Sequence, residues 1–184
     1  IGFEIQKVLA VVDWCESRSD SDVQIGVVGY GEGGLLALYS AALDTRIDAT
    51  LVSGYFDSRQ DMWSEPVSRN VYGLLDQFGD AELASLIAPR SLIIEAAKGP
   101  EFELPSEGGA PASLDTPDPK VVSSEVARAK KLIGNEQLDA LSLIVSGDGY
   151  GVFASEKALQ SVAAAVLPNS KIAAVGSAPK LCRE

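Results

Sequence analysis

Apolar positions recur along this chain in two alternating rhythms. In "FEIQKVLAVVDWCE", residues 3 to 16, Ile5, Val8, Leu9, Val12 and Cys15 fall on one face of a helix, at the three-to-four-residue spacing of a helix lying on a core. A polar break, "SRSDSD", precedes "VQIGVV", a short β-branched run that reads as a strand buried on both faces. The turn "GYGEGG" runs straight into "LLALYSAAL", a strong helix former. A second strand, "RIDATLVSGYFD", is expected to end near Ser53. Residues 57 to 79 are irregular around Trp63 and Pro66, with a short helix expected at "RNVYGLLDQF". "DAELASLI" reads as a helix, closed by Pro89 two residues after Ile87, and "RSLIIEA" as a third strand.

From Lys98 to Lys120 the rhythm stops. Pro100, Pro105, Pro111, Pro117 and Pro119, with Gly108 and Gly109 among them, predict a long surface excursion rather than a linker, because helical pattern resumes at once on its far side. There Val122, Val126, Ala129 and Ile133 share a helix face. A fourth strand, "ALSLIVS", ends in the turn "GDGYG"; Ser155 then caps a helix, "EKALQSVAAAVL", which Pro168 terminates. The last sixteen residues are expected to be weakly ordered. Strands alternating with helices imply an α/β fold, a parallel sheet flanked by helices with right-handed crossovers, in one domain over 1–184.

Composition narrows the function classes. A net charge of −11 speaks against a nucleic-acid partner, since such binding draws on Lys and Arg. No apolar run approaches the roughly 20 residues that cross a bilayer, so no membrane partner is expected. The chain opens at Ile1, without methionine and already in helical pattern, so its N-terminus is expected to be incomplete and the compartment stays open. Cys15 and Cys182 lie too far apart for a zinc or disulfide framework; Cys15 is expected on a helix face and Cys182 in a tail. Histidine is absent, and with it the usual general base near neutral pH and any histidine-based metal site. No cofactor or metal is expected.

The stretch "VVGYGEGGLLAL", residues 27 to 38, has two readings. Gly29, Gly31 and Gly34 spell the G-x-G-x-x-G of a dinucleotide-binding turn, which also needs an acid at the tip of the next strand; Asp57 is the nearest, several residues too late. The same letters also form a nucleophile elbow, G-x-S-x-G, with Gly31 where the serine would stand and small residues, Gly29 and Gly33, two positions to either side. Both readings demand a strand, a turn and a helix.

"GVVGYGEGGLLALYSAALDTRIDA" resembles the elbow segment of the α/β-hydrolase superfamily, most closely the branch of dienelactone hydrolases, acetyl-xylan esterases and prolyl-oligopeptidase-like proteins, in which S-E-G-G is common at the elbow. "DAELASLIAPRSLIIEAAKG" is similar to the stretch leading to the family's acid. "EVARAKKLIG" and "LSLIVSGDGYGVFASEKALQSV" are similar to the end of its domain. The resemblance implies a partial α/β-hydrolase fold, the C-terminal half of the family's domain, and ester hydrolysis through a serine ester. It places the serine at Gly31, an oxyanion-hole backbone N–H at Glu32, the acid at Glu95 or secondarily Glu101, and the histidine at Tyr150. Two of the three triad roles are thus empty, and the loop carrying the second oxyanion donor has no counterpart. The expected function is an ester-hydrolase-related domain with impaired catalysis; the alternatives are a binding module for an ester, sugar or peptide, or a dinucleotide-binding domain. Trp14 and Trp63 are expected in the core or a pocket wall. The family's nucleophile strand pairs with one lying before Ile1, so "VQIGVV" is expected to expose an edge and to favour self-association.

Overall fold

The structure, a computed structural model, describes residues 1–18, 23–104 and 112–167. The expectations for Pro105, Gly108, Gly109, Pro111, Pro168, Cys182 and the last sixteen residues lie outside these. The main sheet has four parallel strands, β1 (Ile25–Tyr30), β2 (Ile47–Ser53), β3 (Ser91–Ala96) and β6 (Leu141–Val145), in that order across the sheet. Helices α1 (Gly2–Ser17), α2 (Glu32–Leu43), α3 (Asp80–Ile87), α4 (Pro119–Leu132) and α5 (Glu156–Val166) connect and cover it.

Two-residue alternation in the strands divides the core. Ile47, Val52, Leu92, Ile94 and Leu141 face one side, where they meet Leu35 and Leu38 of α2, Ala84 and Ile87 of α3, and Val122, Val126 and Ala129 of α4. Ala49, Leu51, Ile93 and Ile144 face the other, under Ala158 and Val162 of α5. The expected stripes on α1 and α4 are the buried ones: Ile5 and Val12 on the first, Val122, Val126 and Ala129 on the second. Ser155 caps α5, its Oγ accepting from the Ala158 N–H, and Asp118 caps α4 just ahead of Pro119.

Several elements depart from expectation. "VQIGVV" is not buried on both faces: β1 begins at Ile25, occupies the sheet margin and leaves Val28 46% exposed, with no strand beyond it among the described residues. The expected self-association bears on this edge. "RNVYGLLDQF" holds only single 3₁₀ turns, Val67–Arg69 and Leu74–Asp76, because Gly73 sits in the left-handed region between them. The excursion after Lys98 contains a small antiparallel hairpin, β4 (Phe102–Leu104) with β5 (Ala112–Leu114), and α4 starts inside it, at Pro119. Trp14 and Trp63 are 58% and 83% exposed, so neither belongs to the core.

Candidate functional site

β1 ends at Tyr30 and α2 starts at Glu32, so the whole change of direction falls on Gly31, at φ 52° and ψ −117°. That conformation disfavours any residue with a Cβ and costs about 1–3 kcal/mol when one is forced into it. The Gly31 N–H donates to the Ser53 carbonyl at 3.0 Å, which ties the corner to the end of β2. Behind the corner, strand and helix approach at Gly29, where a Cβ would overlap the Gly33 carbonyl and lie 2.7 Å from the Gly34 nitrogen. At Gly33, by contrast, a Cβ would touch nothing. In front, a Cβ on Gly31 would stand 2.8 Å and 2.9 Å from Cγ and Cδ of Pro100. The space a nucleophile's side chain would occupy is filled by a proline ring.

The other sequence-derived residues scatter. Glu95 lies within β3 rather than after it, 1% exposed. Its Oε2 accepts from Ser53 Oγ at 2.6 Å and the Ala154 N–H at 2.7 Å, and its Oε1 from the Ser155 N–H at 2.9 Å. Glu101 is on the surface, held by Thr116 Oγ1 at 2.6 Å, and this hydrogen bond lowers its pKa. Tyr150 is 59% exposed beside a turn in which Gly147, Asp148 and Gly149 all have positive φ, the chemistry of a tight loop. Glu32 is paired through its carboxylate with Arg69 Nε at 2.6 Å, while its backbone N–H has no acceptor among the described residues. Asp57 does not sit at a strand tip facing the glycine turn; its N–H donates to Asp80.

A polar network under residues 57–79 had no signal in the sequence pattern. Arg59 and Arg69, 4% and 3% exposed, approach the Tyr55 ring with guanidinium carbons 5.2 Å and 5.4 Å from its centre. Arg59 forms a bidentate pair with Glu65, and Arg69 bridges Glu65 and Glu32. Next to them Asp80 is fully buried; burial pushes its carboxyl up to about 7 against the pull of Arg59 and of the Asp57 N–H, and nearby Glu125 pushes it the same way. The unfolded chain releases that proton near 3.8, so between the two values the native state binds more protons and stability falls as pH rises. Asp57, also raised by burial, adds in the same direction. Opposing this, Arg128 holds Glu82 down to about 2, a contribution lost as the medium is acidified below about 4. Urea melts are therefore expected to give greatest stability near pH 4, about where the two unfolded-state values lie, and a loss of about 1–3 kcal/mol by pH 8. Asp80→Asn should flatten that decline; an unchanged slope would assign it elsewhere.

Beside the corner opens a cavity of about 770 Å³, walled by Leu36, Pro66, Pro100, Phe102, Leu104 and Leu114, with Glu32 and Arg69 among its few polar neighbours. Among the described residues no cluster of His, Cys, Asp and Glu is arranged to hold a metal ion, and no helix is long and apolar enough to cross a membrane.

No protein-family model matches the chain. A Bacillus subtilis protein described as "Putative hydrolase YtaP" is 34% identical over a stretch covering 48% of this chain and 32% of the relative. Among solved structures, the methylesterase BT1017 superposes with a TM-score of 0.61 at 20% identity, over 90% of this chain and 35% of that one. A glucuronoyl esterase from Sporotrichum thermophile gives 0.59 at 15% identity, over 90% and 51%. The chain thus spans about a third to a half of the length of these proteins. A four-stranded parallel sheet flanked by helices, superposing on esterases of the α/β-hydrolase superfamily, makes the fold of this chain a partial α/β-hydrolase fold.

Proposed function

We propose that this chain is an esterase-like hydrolase domain, related to carboxylic ester hydrolases of the dienelactone-hydrolase and acetyl-xylan-esterase kind, that keeps the nucleophile elbow but not the serine chemistry. The observation that carries this is Gly31: a joint with the backbone bend of an elbow, bearing no attacking oxygen and pressed against Pro100. Three further facts support it. No histidine exists anywhere in the chain to take a proton from a nucleophile. Tyr150, exposed beside the turn after β6, offers a phenol where this chemistry uses an imidazole to relay the proton. Both oxygens of Glu95 are engaged, three donors taking three of about four lone-pair sites, so the carboxylate is committed to Ser53 and the start of α5. The unengaged N–H of Glu32 suits an oxyanion donor, but no oxyanion forms without an attack.

The chain should release nitrophenol from 4-nitrophenyl acetate and butyrate no faster than a buffer blank, and a fluorophosphonate probe should leave it unlabelled. Gly31→Ser should restore neither turnover nor labelling. It should also lower stability by about 1–3 kcal/mol, because a Cβ enters the positive-φ corner against the proline ring. Turnover above the blank by the unaltered chain overturns the reading.

A further inference from the structure

We infer that the cavity between Arg69 and the β4–β5 hairpin binds a neutral, largely apolar small molecule that offers a carbonyl oxygen to the Arg69 guanidinium. Its volume, about 770 Å³, lies within the range of small-molecule sites. The apolar wall comes from five separate places: Ile1 (its ammonium paired with Glu4), Leu36 on α2, Pro66, Pro100, and the hairpin with Phe102, Leu104 and Leu114. Phe102 and Leu104, two residues apart on one strand, both line the cavity and yet are 43% and 47% exposed. Large apolar side chains left half-exposed in a concave surface, uncovered among the described residues, are the expected lining of a ligand site.

The polar group is equally specific. Arg69 has a side chain only 4% exposed; its Nε donates to Glu32 and its Nη1 to Glu65, while Nη2 has no hydrogen-bond partner among the described residues. Nη2 is not among the buried atoms that lack a partner, and Arg69 lines the cavity, so this edge of the guanidinium is open to an acceptor entering from the cavity. Charge decides which acceptor. Arg59 and Arg69 are balanced by Glu65 and Glu32, so the cluster carries no surplus positive charge, and the half-exposed Glu32 carboxylate would repel an anion. A carboxylate is disfavoured; an ester, ketone or amide carbonyl is not. Pro100 separates this cavity from the vacant corner, so the bound carbonyl is not presented to Gly31. The inference rests on the reading above only in that a bound ester leaves unchanged.

The test titrates the 184-residue chain with Nile red, a neutral apolar dye bearing a carbonyl. Saturable, blue-shifted emission is expected. Leu104→Glu, at a half-exposed position that leaves the buried core untouched, should weaken binding at least tenfold, and Trp14→Glu, at an exposed position on α1, should not change it. Methyl 4-phenylbutyrate should displace the dye and 4-phenylbutyrate should not. No saturable binding, loss with Trp14→Glu but not with Leu104→Glu, or equal displacement by ester and acid each overturns the inference. Phenylbutyrate released from the ester during incubation would instead overturn the proposed lack of turnover and leave the binding site standing.

Discussion

Gly29→Ala should cost on the order of 4 kcal/mol or more, enough to remove a large share of the stability of a domain this size. The added methyl group would meet backbone, not a side chain that can rotate away: it overlaps the Gly33 carbonyl and sits 2.7 Å from the Gly34 nitrogen. Relief requires α2 to withdraw from β1, and Leu35 and Leu38, both fully buried, would have to move with it. Gly33→Ala is the matched control. Its Cβ enters open space near the start of a helix, where replacing glycine stabilises by a few tenths to about 1 kcal/mol. Urea denaturation of the two variants should give opposite signs, although the elbow pattern treats both glycines as equivalent small positions. A mild effect at Gly29 would mean that strand and helix do not approach as closely as described.

The distinction between those glycines shows what the sequence makes legible. The order of elements is readable because burial leaves a pattern: β2 and β3 are buried almost throughout around short apolar centres, and α1 and α4 carry their buried stripes at helical spacing. Glycine and proline marked the joints. Which face of the elbow needs a glycine depends on where the backbones close in, as they do at Gly29 while a Gly33 Cβ would meet nothing within 4 Å, and no local pattern records that. Elements of three residues were equally opaque. β4 and β5 are too short for period, and the half-exposed Phe102 and Leu104 look like any loop hydrophobics. Trp63 lines a small cavity with Met62 and Tyr72, one of the two expected places, whereas the exposed Trp14 shows that a large apolar side chain taken singly is a weak guide to burial.

The site follows the same division. Gly31 was found because its neighbours in sequence define the turn. Arg69 escaped, since its partners are Glu32, 37 positions away, and Glu65, with Arg59 completing the set; such pairing has no rhythm. An arginine in an irregular stretch reads as solvated surface until the fold brings carboxylates to it. Pro100 escaped for another reason. It looked like punctuation in a proline-rich excursion, whereas its ring is set against the corner thought merely to lack a hydroxyl.

Glu95→Ala should destabilise the fold by on the order of 3–5 kcal/mol, through the joint that Glu95 makes between β3 and α5. Removing the carboxyl leaves the Ser53 hydroxyl and the N–H groups of Ala154 and Ser155 without acceptors at a site 1% exposed, and opens a void beside them. Strain at the same place offsets part of that loss when released: Ala154 is held at φ 54°, a conformation an alanine adopts only when its surroundings impose it. Its N–H on Glu95 is part of that imposition, and the next residue, Ser155, caps α5, whose Ala158 and Val162 cover one face of the sheet. Glu95→Gln separates chemistry from packing. The amide keeps the shape and one acceptor, which can still serve Ser53 and Ala154, but turns an NH₂ toward the Ser155 N–H, at a cost of about 1–3 kcal/mol. Ala154→Gly in the Glu95→Ala background should recover part of the loss, since the strain no longer needs holding. Amide hydrogen exchange should register the same event as faster exchange in α5 than in α2 or α3. A Glu95→Ala chain as stable as its parent would mean that Glu95 is spare, and the case for a carboxyl retained for structure rather than catalysis would fail with it.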